Sequence, residues 1–213
     1  MTSKDNSLQR QLTSGKNQET HQINLVGRKE AYISIDVETS GPSPSRYALL
    51  SIGACTLGKP RHTFYIELQP DSAAYTLEAM AVSQLSLDRL AADGLPPKDA
   101  MQRFADWVKQ TVPPDIHPVF VAFNAPFDWM FVSDYFHRYL EYNPFGHKAL
   151  DIKAYFMGLH GVSWAETSFA RICSRYLDNR ILTHHALDDA ITQAKVFQAM
   201  LAEAQEKRFT EEV

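Results

Sequence analysis

The sequence predicts an α/β fold in which helices flank a mixed five-stranded sheet. Three observations carry that prediction. From Ala31 onward, three strand-like runs separated by Gly/Pro/Ser clusters imply an antiparallel meander. Beyond them the apolar residues switch to helical spacing. Between the helical stretches stands Val119–Phe123, short and wholly apolar, the pattern of a strand buried on both faces. Hairpin-linked strands followed by alternating helices and strands place helices on a mixed sheet.

Each element follows from its own residues. Tyr32–Ile35 opens the sheet, and the cluster Gly41–Ser45 separates it from Ala48–Thr56. Gly58–Pro60 then leads to His62–Leu68. Helical spacing covers Leu77–Leu90 and Ala100–Val112. After Val119–Phe123, Asn124-Ala125-Pro126 combines a cap-type residue with a proline near the first turn, so a helix starts there and runs to Tyr139. Ala149–Ile152 supplies the fifth strand, and helices follow over Ser168–Tyr176 and Ala186–Lys207. The folded domain spans residues 30–207. A flexible N-terminal tail covers 1–29, rich in Ser, Gln, Asn, Thr and Lys, and a short C-terminal tail covers 208–213.

Composition narrows the function classes. A length of 213 residues suits one domain with a sizeable core. The net charge of −4 excludes the strongly basic balance of a protein that coats long nucleic acids, so nucleic-acid contact is expected to be local. Cys55 and Cys173, the two cysteines, lie far apart in apolar segments, which fits a reduced, cytoplasmic protein. No stretch has the apolar core of a signal peptide or approaches the ~20 residues of a membrane span.

Three clusters carry the chemistry. Asp36-Val37-Glu38 ends the first strand, and with a side-chain period of two both carboxylates point to one face, where they can share a cation. Alone, such a pair is a solvated strand tip. Asp128 lies in the first turn of the helix that leaves Val119–Phe123, at a strand end where ligand sites collect. Alone, it complements the positive end of its helix, and Asn124 serves as the cap. Phe127, Phe131 and Tyr135 recur at helical spacing and read as core. His184-His185-Ala186-Leu187-Asp188-Asp189-Ala190 starts the last helix, with His184 before it and Asp189 inside its first turns. Together the clusters supply four carboxylates and a titratable base, the inventory for metal-assisted attack of water on a phosphodiester.

In this order and context the motifs Asp36-Val37-Glu38-Thr39, Asn124 to Asp128, and His184 to Ala190 resemble the DEDDh, or DnaQ-like, 3'-5' exonucleases of the ribonuclease H-like fold. The resemblance covers Ala31 to about Leu201 and includes Ala48–Ala54 as the family's second strand. It implies two divalent cations, Mg²⁺ or Mn²⁺, held by Asp36, Glu38, Asp128 and Asp189, with His184 as general base. The chemistry agrees: hard oxygen ligands suit these ions, and histidine titrates near neutrality. By the same pattern His185 and Asp188 are bystanders, since Asp188 stands about 100° of helix rotation from Asp189.

The resemblance also implies substrate contacts. Thr39, Ser40 and Gly41 would receive the terminal nucleotide, with Asn124 nearby. Leu49 or Leu50 would wedge between bases, and Phe123 and Phe127 would offer stacking faces. Ser40 replaces a frequent Thr and Phe123 a frequent His, while Thr39 departs from the Met of oligoribonucleases. Ribonuclease T and polymerase proofreading subunits remain the nearer types. The expected substrates are single-stranded DNA or RNA 3' ends, hydrolysed to nucleoside 5'-monophosphates by a stand-alone enzyme. A homodimer and association with a separate polymerase stay open. Two other classes compete: a noncatalytic nucleic-acid-binding or regulatory module on the same fold, and an acid/base glycosidase active in EDTA.

Overall fold

The computed structural model describes residues 29–177 and 183–211, with side chains through residue 208. The segment read as an N-terminal tail lies outside the described residues, apart from Lys29. The sheet has the strand order β3-β2-β1-β4-β5. Strands β1 (Glu30–Thr39), β2 (Leu49–Thr56) and β3 (Thr63–Glu67) form the antiparallel meander. Strands β4 (His117–Ala122) and β5 (Ala149–Asp151) run parallel to β1.

Alternation along the strands sorts side chains into two apolar layers. Ile33, Ile35, Val37, Phe120 and Ala122 face α3 (Pro97–Thr111) and α4 (Ala125–Leu140), where Phe104, Phe131, Tyr135 and Phe136 complete a core. Tyr32, Cys55 and Val121 face α5 (Ile152–His160), α6 (Phe169–Tyr176) and α7 (Ala186–Glu211), which contribute Phe156, Ile172 and Phe197. Asp36 and Glu38 share the face of Tyr32, the one that meets α7. The expected α/β architecture is therefore present, a sheet covered by helices on both sides.

Four local differences from the sequence reading have physical causes. The helix expected over Leu77–Leu90 breaks into α1 (Leu77–Ser83) and α2 (Leu87–Asp93). Gln84 takes a left-handed conformation, and the Ser86 hydroxyl accepts from the Arg89 amide to cap the second piece. Asn124 lies before α4 but its side chain caps nothing. It too is left-handed, with φ 63°, and its carbonyl accepts from the Phe127 amide. The fifth strand ends at Asp151, whose carboxylate accepts from the Lys153 amide and starts α5 without a loop, a helix the sequence reading missed. Finally, α7 continues to Glu211, beyond the expected end at Lys207, and a Lys207–Glu203 pair one turn apart supports the turn from which it continues. Among the described residues no helix is long and apolar enough to cross a membrane.

One close approach fixes the last helix. In β2, Gly53 pairs with Asp36 of β1. A Cβ on Gly53 would stand 2.1 Å from the Ala186 carbonyl carbon and 2.2 Å from the Leu187 nitrogen. The missing side chain lets the start of α7 lie directly on the sheet beside the acidic strand end.

Candidate active site

At the end of β1 the pairing register slips between Glu38 and Thr39, an irregularity of the kind that re-aims side chains. The α7 helix crosses that strand end and brings Asp189 to it. Asp36, Glu38 and Asp189 each present a carboxylate oxygen, and these three oxygens lie within 4.8 Å of one another. The fourth predicted carboxylate, Asp128, comes from the first turn of α4. It is buried and accepts from the Val37 amide at 3.1 Å, which locks it under the β1 tip beside the other three. The structure thus brings all four together, three as a tight group and Asp128 against it.

Burial and mutual repulsion dominate the electrostatics of this cluster. Burial holds the Asp36 carboxyl well above the usual range, and the charges of Asp128, Glu38 and Asp189 push it further. Burial and the charge of Asp189 push Glu38 up to about 8. Asp128 is raised as well, chiefly by burial, against the backbone amides that favour its ionised form. Among the described residues no lysine or arginine pairs with any of the four. Clustered, uncompensated carboxylate oxygens are the donor set that hard divalent cations take, so the residues fit Mg²⁺ or Mn²⁺.

Asp189 is oriented by the segment before its helix. Its Oδ1 accepts from the Thr183 amide at 2.8 Å and hydroxyl at 3.0 Å, and its Oδ2 accepts from the His184 amide at 2.8 Å. This clamp holds His184 in a left-handed turn, φ 57°, exposed at the cavity wall. The neighbouring pair is elsewhere. His185 stacks on Tyr65 with ring centroids 4.7 Å apart, and its Nδ1 lies 3.4 Å from the exposed Asp188 carboxylate.

A cavity of about 430 Å³ opens over the cluster, lined by Asp36, Glu38, Asp189, His184, Thr39, Gly41 and Phe127 together with Thr76, Ala79 and Val82. Other predicted contacts lie outside it. Ser40 is fully buried, and its hydroxyl donates to the Ala74 carbonyl while accepting from the Ala48 amide, so it fastens the β1 exit rather than meeting a ligand. Leu49 and Leu50 are fully buried core residues, which removes the wedge. Asn124 is exposed but does not line the cavity. Phe123 is half-buried against Phe169.

Gln193 contacts the cluster directly, and the sequence reading missed it. Fully buried on α7, it donates from Nε2 to Asp36 Oδ1 at 2.6 Å, while its Oε1 accepts from the Phe123 amide at 2.9 Å. The available signal was its spacing, four residues after Asp189 and hence on the same helical face. The α1 wall of the cavity gave no comparable signal.

The model of the family described as the 3'-5' exoribonuclease Rv2179c-like domain matches residues 31–201. The chain belongs to this family. A curated relative, the 3'-5' DNA exonuclease Cap18 of Escherichia coli, is 46% identical to this Rv2179c-like chain over 170 residues, 80% of the chain and 91% of the relative. Among solved structures, the nuclease domain of 3'hExo, a DEDDh family member bound to rAMP, matches with TM-score 0.67 at 16% identity, over 82% of this chain and 92% of that one. Escherichia coli exonuclease I in complex with a dT13 oligonucleotide matches with TM-score 0.62 at 17% identity. That alignment covers 85% of this chain but 43% of exonuclease I, so the Rv2179c-like chain spans less than half of that structure. The Rv2179c-like chain is a 3'-5' exonuclease on the DEDDh, ribonuclease H-like fold.

Proposed function

We propose that this chain removes nucleoside 5'-monophosphates from single-stranded 3' ends by a two-metal-ion mechanism with His184 as general base. One observation carries the reading: the three carboxylate oxygens of Asp36, Glu38 and Asp189, within 4.8 Å of one another, share a cavity wall with His184. Asp36, Glu38, Asp128 and Asp189 would hold the two ions, Mg²⁺ or Mn²⁺. When bound, such ions stabilise charge on the attacking and leaving oxygens of an in-line displacement.

The protein's own groups do the rest. His184, fixed through its amide to Asp189, takes a proton from the attacking water as the water oxygen bonds to phosphorus. The phosphorus–O3' bond breaks and O3' takes a proton from solvent, leaving a shortened strand with a 3'-hydroxyl and a nucleoside 5'-monophosphate. The terminal nucleotide occupies the cavity, whose volume lies within the roughly 300–1,000 Å³ of small-ligand sites. Thr39, Gly41 and Phe127 face that nucleotide, and burial around the carboxylates strengthens every charge contact made there.

The test uses matched single-stranded DNA and RNA with free and blocked 3' ends, assayed in Mg²⁺, Mn²⁺ and EDTA. The expected outcome is mononucleotide release from free ends only, abolished by EDTA. Activity that survives EDTA, or equal degradation of blocked ends, would overturn the reading. The sugar is decided by the matched pair, because the family description names RNA whereas Cap18 is named for DNA.

A further inference from the structure

We propose that Trp164, Lys153 and Phe123 form a second nucleotide subsite, which stacks an upstream base of the single strand and pairs with its phosphate. None of the three lines the terminal-nucleotide cavity. Their placement follows from the sheet. Parallel pairing of Ser34 with Val121 sets Phe123 beside Asp36, and pairing of Ala122 with Asp151 puts Lys153 two residues beyond the next strand's end. With strands about 4.8 Å apart, the β5 end stands about 10 Å from β1. That span suits two or three stacked bases at about 3.4 Å each.

The three side chains form one prepared surface. Lys153 Nζ sits 4.2 Å from the Trp164 ring centroid and 5.8 Å from that of Phe123, and Phe123 packs edge-on against Phe169 at 5.0 Å. Trp164 is nonetheless 50% exposed, which leaves indole surface open to a base. The turn that carries Trp164 is pinned by its own hydrogen bonds. The Glu166 carboxylate accepts from the Ser163 amide at 3.0 Å and hydroxyl at 2.9 Å, and Arg171 holds the other Glu166 oxygen at 2.9 Å. The Thr167 hydroxyl donates to the Trp164 carbonyl at 2.7 Å. A half-exposed indole on a pinned turn, with a cation beside it, matches the two chemical needs of a single strand, a stacking face and a positive charge. The surface also joins the cluster mechanically, because Gln193 bridges the Phe123 amide and Asp36.

The inference rests on the exonuclease reading, and two substrates separate the two. Binding of a 5'-fluorescein decathymidylate with phosphorothioate linkages is followed by anisotropy in Trp164→Ala, Trp164→Phe and Lys153→Met chains. Hydrolysis of the p-nitrophenyl ester of thymidine 5'-monophosphate, which carries a single nucleotide, reports the metal cluster alone. Trp164→Ala is expected to weaken decamer binding about tenfold, with Trp164→Phe restoring most of it. Lys153→Met is expected to reduce the slope of log affinity against log salt by about 0.7. Both are expected to hydrolyse the ester within about twofold of the native rate, since neither residue lines the cavity. Decamer affinity unchanged in both chains overturns the subsite. A changed oligomeric state with unchanged affinity also overturns it, and assigns the face to a second copy. A native chain that binds through Trp164 yet hydrolyses nothing supports the subsite and sinks the exonuclease reading.

Discussion

Gln193 shows how a neutral side chain can govern an acidic centre. Its Oε1 is engaged by the Phe123 amide, so the Nε2 end must point at Asp36, and the carboxylate is oriented by a donor that cannot titrate. Partners that orient metal ligands typically matter by about 10–100-fold in metal affinity or activity. Gln193→Ala should therefore lose activity in that range while keeping a native circular dichroism spectrum; native kinetics in the variant would remove the residue from the site. The two histidines offer a sharper contrast. His184→Ala should lower the turnover rate by about 10²–10⁴ and Asp189→Ala should abolish hydrolysis. His185→Ala and Asp188→Ala, which disrupt an exposed pair beside Tyr65, should retain much of it. Single-turnover rates with the reverse ranking would shift the motif's register.

At the scale of elements, two contacts position the catalytic helices. Gly53 is the seat of α7: a methyl group there meets backbone, which cannot rotate aside. Gly53→Ala is expected to cost about 1–3 kcal/mol by overpacking. It should also reduce activity more than stability alone explains, since the displaced helix carries Asp189 and Gln193 together. Urea unfolding beside specific activity of the folded fraction checks this, and an active, stable variant would show that α7 tolerates a shift. On α4, the buried Tyr135 hydroxyl accepts from the Leu49 amide at 2.8 Å and donates to Asp71. Tyr135→Phe strands that buried amide and should destabilise by about 1–3 kcal/mol. Because the phenol lies outside the cavity, activity per folded molecule should hold; a selective activity loss would assign Tyr135 a role at the site.

For the whole molecule, the acidic cluster links stability to pH and to metal. Glu38, raised from an ordinary 4.5 to about 8, keeps a proton in the folded chain that the unfolded chain releases. The raised carboxyls of Asp36 and Asp128 act in the same sense. Between about pH 4.5 and 8 the folded state thus binds more protons, so stability falls as pH rises through that window. On the two-metal reading, divalent cations should compete with those protons and reverse the trend. Thermal melts in EDTA should show Tm declining from pH 5 to pH 8, and excess Mg²⁺ should raise Tm more at pH 8 than at pH 5. A metal-free Tm that is flat across the window would deny that the carboxylates are mutually strained.

By itself the sequence determined the elements and the chemical inventory. Strand and helix periods are local properties, so the meander, the buried strand Val119–Phe123 and the motif carboxylates were legible in the residues around each. Capping geometry was less so. Ser86 and Asp151 start helices that the broad apolar pattern hid, and Asn124 takes a turn conformation where a cap was expected. What only tertiary structure decided is convergence and exposure. Asp36 and Asp189 meet because Gly53 leaves room for α7, Gln193 reaches Asp36 across 157 positions of sequence, and Ser40 is removed from the cavity by bonds to Ala74 and Ala48. Periodicity states which face of an element a side chain takes. Only packing fixes what that face meets, and a site made from three distant segments is set by packing.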